Sequence, residues 1–141
     1  MTANKCIQKL LRFKGFKVVD FAFEGANRLV ILVKPHKNGC RCPICGRRCK
    51  IVRTLPEVRR WRDIPTAGWS VWLQHCPREI ECPTHGRRQE QIPWAREYGR
   101  ATYRFEYLML RYCQMMPQKG AGTLLHTPTS TLSDLLHRCI T

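Results

Sequence analysis

Cys42-Pro43-Ile44-Cys45-Gly46-Arg47-Arg48 returns later in the chain as Cys82-Pro83-Thr84-His85-Gly86-Arg87-Arg88, the same heptad with one Cys replaced by His and Ile by Thr. Two thiolates two residues apart, joined by a thiolate and an imidazole at similar spacing, make a complete tetrahedral shell for Zn²⁺. The Gly after each second ligand suits a turn that curls around a metal, because Gly reaches positive φ at no steric cost. Cys42, Cys45, Cys82 and His85 are therefore the expected ligands. Spare candidates lie nearby: Cys40 and Cys49 flank the first pair, and His75 and Cys76 precede the second. None of the four has a counterpart in the other copy, though Cys40 or Cys49 remains open as a substitute ligand. Four good ligands leave no vacancy for a catalytic water beside Glu90, so the predicted role of the metal is structural. Cys6, Cys113 and Cys139 fall on apolar helix faces and read as small core residues.

Outward from the heptads, the 141-residue chain has room for one ordinary domain or a few small modules. Its 25 Lys+Arg against 10 Asp+Glu give a net charge of +15, an imbalance best offset by a polyanion. Nucleic acid is the leading partner; an anionic membrane surface is weaker, since no strongly amphipathic basic helix dominates. The longest apolar run, Leu29 to Val33, is far short of about 20 residues, so no membrane-spanning helix is expected. Nine cysteines without a hydrophobic leader after Met1 point to a cytoplasmic, nucleoid-associated metal protein rather than a disulfide framework.

The predicted fold class is α+β: a small β-rich zinc ribbon preceded by a β-hairpin and followed by a helix-turn-helix-like segment. The first unit, residues 1–36, opens with an amphipathic helix over 4–13 carrying Ile7, Leu10 and Leu11, stopped by Gly15. A hairpin follows, with strands at 17–23 and 28–34 and a turn at 24–27. Val19, Phe21 and Phe23 alternate against Val18, Asp20 and Ala22. Pro35 and residues 36–39 break the second strand. The ribbon unit spans 37–95. Within it, strand-like 69–76, a tight turn at Pro77 and strand-like 78–82 read as two ribbon strands ending on a metal ligand. Pro93-Trp94-Ala95 closes the unit.

From Thr102 the period becomes helical, with Phe105, Leu108, Met109, Tyr112, Cys113 and Met116 on one stripe and Pro117 as terminator. Gly120 and Gly122 weaken the short segment bearing Ala121, Leu124 and Leu125. His126 to Thr129 is a turn, and Thr131-x-x-Asp134 matches a capping box opening a last helix with Leu132, Leu135, Leu136 and Cys139 on one side. Residues 96–141 thus have the layout of a helix-turn-helix.

Between the heptads runs a basic segment whose densest part is Arg59-Arg60-Trp61-Arg62-Asp63-Ile64-Pro65. Its arginines, with Trp61, Trp69 and Trp72, could form a backbone-binding surface with stacking aromatics. The plainer reading packs the tryptophans beneath the ribbon, and for them it is preferred. A zinc deaminase is excluded, because neither His36-x-Asn38 nor His75-x-Pro77 supplies the required Glu.

The order of these parts resembles a family. C-P-x-C-G at Cys42–Gly46, R-x-W-R-D-x-P at Arg59–Pro65, C-P-x-H-G at Cys82–Gly86 with Glu90, Pro93-Trp94-Ala95 and Arg100-x-Thr102 are similar to the N-terminal part of bacterial insertion-sequence transposases of the ISL-three type. The likeness runs over most of residues 1–126. It implies a zinc-binding module and a helix-turn-helix that bind double-stranded DNA at the transposon's terminal inverted repeats. In the family a catalytic domain of RNase H-like fold follows, with acidic residues holding divalent metals. The chain stops at Thr141, and Asp20, Asp63 and Asp134 cannot assemble a two-metal site, so the chain is expected not to be an enzyme. The glycines after Pro117 suggest that the last twenty residues are a poor copy or a shifted frame. The expected function is a DNA-binding transposase fragment. Alternatives are a zinc-ribbon module binding RNA or a protein as a regulator, and the DNA-binding part of a transposase completed by another chain, whether a homo-oligomer or the full-length protein. Phosphate contacts are expected from Arg47, Arg48, Arg59, Arg60, Arg62, Arg87 and Arg88, and base contacts from Ser130, Thr131 and Ser133.

Overall fold

The computed structural model describes residues 2–11, 16–35 and 40–140. The breakers expected at Gly15 and at 36–39 lie outside them. A four-stranded sheet is built from β1 (Phe16–Glu24), β2 (Arg28–Pro35), β4 (Arg59–Arg62) and β5 (Ser70–His75), in the order β1-β2-β5-β4. A three-stranded sheet holds β3 (Lys50–Thr54), β6 (Arg78–Cys82) and β7 (Gly86–Gln89), in the order β3-β6-β7. Helix α1 (Ala3–Leu11) precedes the sheets, and α2 (Tyr103–Met115), α3 (Gln118–Leu125) and α4 (Thr129–Ile140) follow them.

The α+β expectation holds, but the strands are partitioned differently from the sequence reading. Strand β2 pairs antiparallel with β1 and in parallel with β5, so the N-terminal hairpin and the middle of the chain share one sheet. That sheet crosses the boundary expected at 36/37. The cause is visible in Val30-Ile31-Leu32-Val33: Val30, Ile31 and Val33 are buried, and a run apolar on both faces suits an interior strand with two neighbours. The expected hairpin of 69–76 with 78–82 does not form. Strand β5 pairs with β4, β6 pairs with β3 and β7, and the chain changes sheet at Cys76-Pro77. Proline donates no ladder hydrogen bond and constrains the residue before it, so pairing ends there.

The alternation expected in β1 also changes midway. The register runs Val18↔Val33 and then Asp20↔Leu32, leaving Val19 as a bulge. One extra residue flips the side chains beyond it. Phe16 and Val18 are buried, whereas Val19 is exposed and Phe23 stands out against Trp69, ring centroids 4.8 Å apart. Helix α1 covers this outer strand. Asn4 donates to the Val19 carbonyl at 2.7 Å, and Gln8 accepts from the Val18 N–H at 3.2 Å, so open backbone groups of an edge strand are met by side chains. Ile7 packs on the core, while Leu10 faces outward.

Phe16, Ile31, Trp61, Val71, Leu73 and Trp94 form the core of the larger sheet. Trp61 meets Trp94 edge-on at 5.3 Å and is fully buried, so it packs beneath this sheet rather than beneath the ribbon. Pro93-Trp94-Ala95 likewise closes the larger sheet's core.

A second core lies among Phe105, Met109, Ala121, Leu125, Leu132 and Leu135 of the three C-terminal helices. Thr102 caps α2, its hydroxyl accepting from the Phe105 N–H at 3.2 Å. Helix α2 stops before Pro117, as its sequence requires. Helix α4 begins at Thr129, earlier than the expected capping box: the Pro128 carbonyl accepts from the Thr131 N–H at 3.0 Å, which puts Thr131 inside the first turn. The two glycines of α3 are not signs of decay. A Cβ on Gly122 would meet the Thr127 carbonyl oxygen at 2.7 Å, so Gly lets the turn pass over the helix. Cys113 is half-buried against this core, but Cys6 and Cys139 are exposed, contrary to the core role expected for them.

Strand β4 fastens the sheet to the helices. Asp63, fully buried, accepts from the Thr102 hydroxyl at 2.8 Å and from Arg104 Nε at 2.7 Å, and pairs with the Arg104 Nη2 as well. Arg62 donates to the carbonyls of Leu125 (2.8 Å) and His126 (3.2 Å), at the C-terminal end of α3. Its guanidinium also lies over the Trp72 and Phe105 rings.

Candidate metal centre and nucleic-acid interface

Both heptads form turns of short hairpins. In the first, the Gly46 N–H returns to the Cys42 carbonyl at 2.9 Å and the Cys42 N–H to the Arg47 carbonyl at 3.0 Å. In the second, Cys82 pairs with Gly86 across the β6–β7 hairpin. Gly46 and Gly86 take φ of 71° and 73°, the left-handed turn their positions demand. Strand β6 brings the knuckles together, since its partner β3 follows the first heptad directly.

The consequence is convergence of Cys42, Cys45, Cys82 and His85, whose ligand atoms all lie within 4.8 Å of one another. Cys42 Sγ and Cys82 Sγ each lie 3.6 Å from His85 Nδ1, and Cys45 Sγ lies 3.7 Å from Cys82 Sγ. Burial opposes ionisation of Cys82, yet N–H groups of Thr84 and His85 and the neighbouring thiols hold its pKa down to about 7. For Cys45 the Arg47 N–H favours the thiolate, but burial and the Cys82 and Cys42 sulfurs push it up. Three thiolates cannot share so small a volume without a cation between them. The donor set thus fits a divalent metal that accepts S₃N coordination.

The spare cysteines are otherwise engaged. Cys40, buried, has its thiol 3.6 Å from Glu90 Oε1, and burial followed by the Glu90 charge pushes it up to about 11. Cys49 donates to the Arg47 carbonyl at 3.2 Å. His75 and Glu90 belong to a buried network instead of a metal. Glu90 accepts from the Arg78 N–H at 2.7 Å, from Arg78 Nε at 2.9 Å and from His75 Nε2 at 3.3 Å. Burial would raise its pKa, but the His75 and Arg78 hydrogen bonds hold it at about 2. Glu90 therefore ties β5 to β6, joining the two sheets at the point where their strands part.

The arginines predicted to meet phosphate fall into two groups. Arg47, Arg48, Arg87 and Arg88 are exposed immediately after the knuckles. Arg59, Arg60 and Arg62 stand on β4, in the other sheet. Arg60 is held bidentately by Glu24 at 2.9 and 2.8 Å and donates to Gln74 at 2.8 Å. Arg59 lies over the Trp61 ring at 4.7 Å and donates to the Gly99 carbonyl. Ser130, Thr131 and Ser133 are exposed in the first half of α4, with Ser133 donating to Gln118 at 2.8 Å. A groove of about 1130 Å³ between β4 and α4 brings Arg59, Arg60, Arg62 and Thr131 together, and adds Arg100 and Arg138. Neither was expected at phosphate from the sequence, because only the docking of β4 on the helices gives them a common face with the β4 arginines.

A paired Cys/His knuckle leading into a tri-helical unit defines the class: a Cys/His-knuckle ribbon joined to a helix-turn-helix. Residues 90–140 match the helix-turn-helix domain of transposase family ISL3. The transposase for insertion sequence element IS1557 of Mycobacterium tuberculosis, in strains CDC 1551 / Oshkosh and ATCC 25618 / H37Rv, is in each case 33% identical over 88 residues. That match covers 62% of this chain and 20% of the relative's length. No solved structure matches. The chain resembles the N-terminal part of insertion-sequence transposases of the ISL3 type, as its ordered motifs implied. The match through residue 140 also overturns the expectation of a degenerate C-terminus. Among the described residues, no helix is long and apolar enough to cross a membrane.

Proposed function

We propose that this chain is the DNA-binding part of an insertion-sequence transposase and that it recognises the terminal inverted repeats of its element. The observation that supports this most is the transposase helix-turn-helix match at residues 90–140, on a chain of net charge +15. In this reading Zn²⁺ is held by Cys42, Cys45, Cys82 and His85 and keeps the ribbon in shape. Ser130, Thr131 and Ser133 at the start of α4 meet base edges, since the N-terminal part of a recognition helix enters the major groove first. Arg47, Arg48, Arg87 and Arg88, with the β4 arginines Arg59, Arg60 and Arg62, meet phosphates and fix orientation. The working partner is double-stranded DNA in the nucleoid, bound by this chain as a homo-oligomer or beside a full-length transposase. Strand cleavage and transfer belong, on this reading, to another part of the transposase.

The test is a gel shift of the Zn²⁺-loaded chain on duplexes carrying the repeats that flank its gene, with random duplex as competitor. Preferential retention of the repeat is expected, and equal affinity for both duplexes would refute repeat recognition. With six to ten phosphates contacted, affinity should drop by about 10³ to 10⁵ between 50 and 200 mM salt. Chelation should abolish the shift and change the far-UV spectrum, because structural Zn²⁺ contributes on the order of 10 kcal/mol to such modules. An unchanged spectrum would sink the metal assignment.

A further inference from the structure

Tyr98 is out of place as a matter of stability. It has φ of 59°, a left-handed conformation that bulky side chains rarely adopt, and it is 84% exposed. The turn is closed by the Gly99 N–H on the Arg96 carbonyl at 2.9 Å, so Tyr98 occupies the third position of a four-residue turn, where positive φ calls for Gly. No apolar burial offsets the strain. The surroundings do supply a reason for an aromatic ring. Tyr98 is the ridge between two basic depressions, lining both the β4–α4 groove and a smaller cavity of about 300 Å³. That cavity is walled by Arg59, Arg87, Arg88 and Tyr103, with Pro43 of the first knuckle at its rim. Tyr103 is 53% exposed, and Tyr107, one turn further along the same face of α2, is 63% exposed. Three of the four tyrosines therefore stand outward where the ribbon meets the helices.

We infer that Tyr98 and Tyr103 form a stacking site for an unpaired nucleotide of DNA, with Arg87 and Arg88 meeting the adjoining phosphates. Exposed aromatics set among arginines are what single strands use: the rings take the base faces, and the cations track the backbone. A stacked duplex cannot enter a cavity of this size, which is at the lower end of small-ligand pockets, but a splayed base can. The site extends the DNA-binding reading and rests on it. It would let the chain distinguish a DNA end with unpaired nucleotides from continuous duplex, a discrimination that the helix-turn-helix alone does not provide.

The experiment compares, by fluorescence anisotropy, a blunt duplex with the same duplex bearing a short single-stranded thymidine overhang, using the Zn²⁺-loaded full chain. The overhang should bind on the order of tenfold more tightly, the scale of one base–aromatic stack. Tyr98→Gly should erase that preference and keep or raise the melting temperature, because it removes the strain. Tyr98→Phe should retain the preference. Equal binding of the two duplexes by the wild-type chain, or a preference that survives Tyr98→Gly, overturns the stacking site while leaving the DNA-binding reading intact. Failure to bind either duplex overturns both.

Discussion

Replacing Gly122 with Ala should destabilise the helical unit, although Gly→Ala in a helix ordinarily stabilises by up to about 1 kcal/mol. The added Cβ would be 2.7 Å from the Thr127 carbonyl oxygen, closer than real Cβ contacts come, and 3.6 Å from Leu132 Cδ1. The obstructing atom is backbone, and it cannot easily give way. The Thr127 N–H donates to the Gly122 carbonyl at 2.9 Å, and the turn is fixed by His126 in the left-handed region. Overpacking of this kind costs roughly 1–3 kcal/mol. Subtracting a propensity gain of about 1 kcal/mol leaves a net loss of up to about 2 kcal/mol. Gly120 is the internal control: its Cβ would meet Met116 Sδ at 3.7 Å, an ordinary contact, so Gly120→Ala should be neutral or stabilising. Urea melts followed by helical circular dichroism, with Zn²⁺ present throughout, give both values. If Gly122→Ala is as stable as Gly120→Ala, α3 and its turn do not approach as described and the reasoning fails.

Asp63→Asn should cost about 3 kcal/mol, the usual scale for breaking one partner of a buried ion pair, since it leaves Arg104 without its bidentate partner. A double-mutant cycle with Arg104→Met measures the coupling, and additive losses would contradict the contact. The depressed pKa of Glu90 makes a pH-dependent contribution. With a folded value of about 2 against an ordinary 4.5, its stabilisation is complete above about pH 4.5 and is lost as pH falls toward 2. The shift corresponds to about 3 kcal/mol. Stability of Glu90→Gln measured over the same range should show a shallower acid slope than wild type, and parallel slopes would rule out the assignment.

How far the sequence could be read depended on how local each determinant is. The signal of the Cys/His cluster is local: two heptads with Cys/His at fixed spacing name Cys42, Cys45, Cys82 and His85 without knowledge of the fold. Helix α2 is local too, with Thr102 before it, a stripe of apolar residues, and Pro117 after it. The strand partition is not. Alternating residues either side of Cys76-Pro77 suit a hairpin as well as a change of sheet, and only the parallel pairing of β2 with β5, 42 residues apart in sequence, decides between them. The Val19 bulge is similarly invisible, because one unpaired residue leaves the local pattern looking regular. Asp63 read as part of a motif, but its work depends on Thr102 and Arg104, far along the chain. Gly122 looked like weakness because its reason is the approach of another piece of backbone.

The arginine-rich segment is the place where local reading misled most, and the reason bears on how the charge is used. Glu24, Asp63, Glu79, Glu90 and Glu106 each pair with arginine within the protein. Asp63, Glu90 and Glu106 are buried, and with Arg104, Arg78 and Arg96 they hold the β4–α2 joint, the β5–β6 joint and the loop before α2. Half of the ten carboxylates thus pair with arginine, and the three buried ones hold the fold together. Arg104, Arg78 and Arg96 are thereby tied to buried carboxylates, whereas Arg53 and Arg60 pair at the surface, where a polyanion can reach them. The cations without such a pairing include Arg47, Arg48 and Arg88 around the knuckles, and Arg100 and Arg138 along the β4–α4 groove. In a sequence, Arg59-Arg60-Trp61-Arg62-Asp63 looks like the densest binding surface. In the fold Arg62 and Asp63 are a joint, and the groove they create by docking the helices is what gathers the cations that remain.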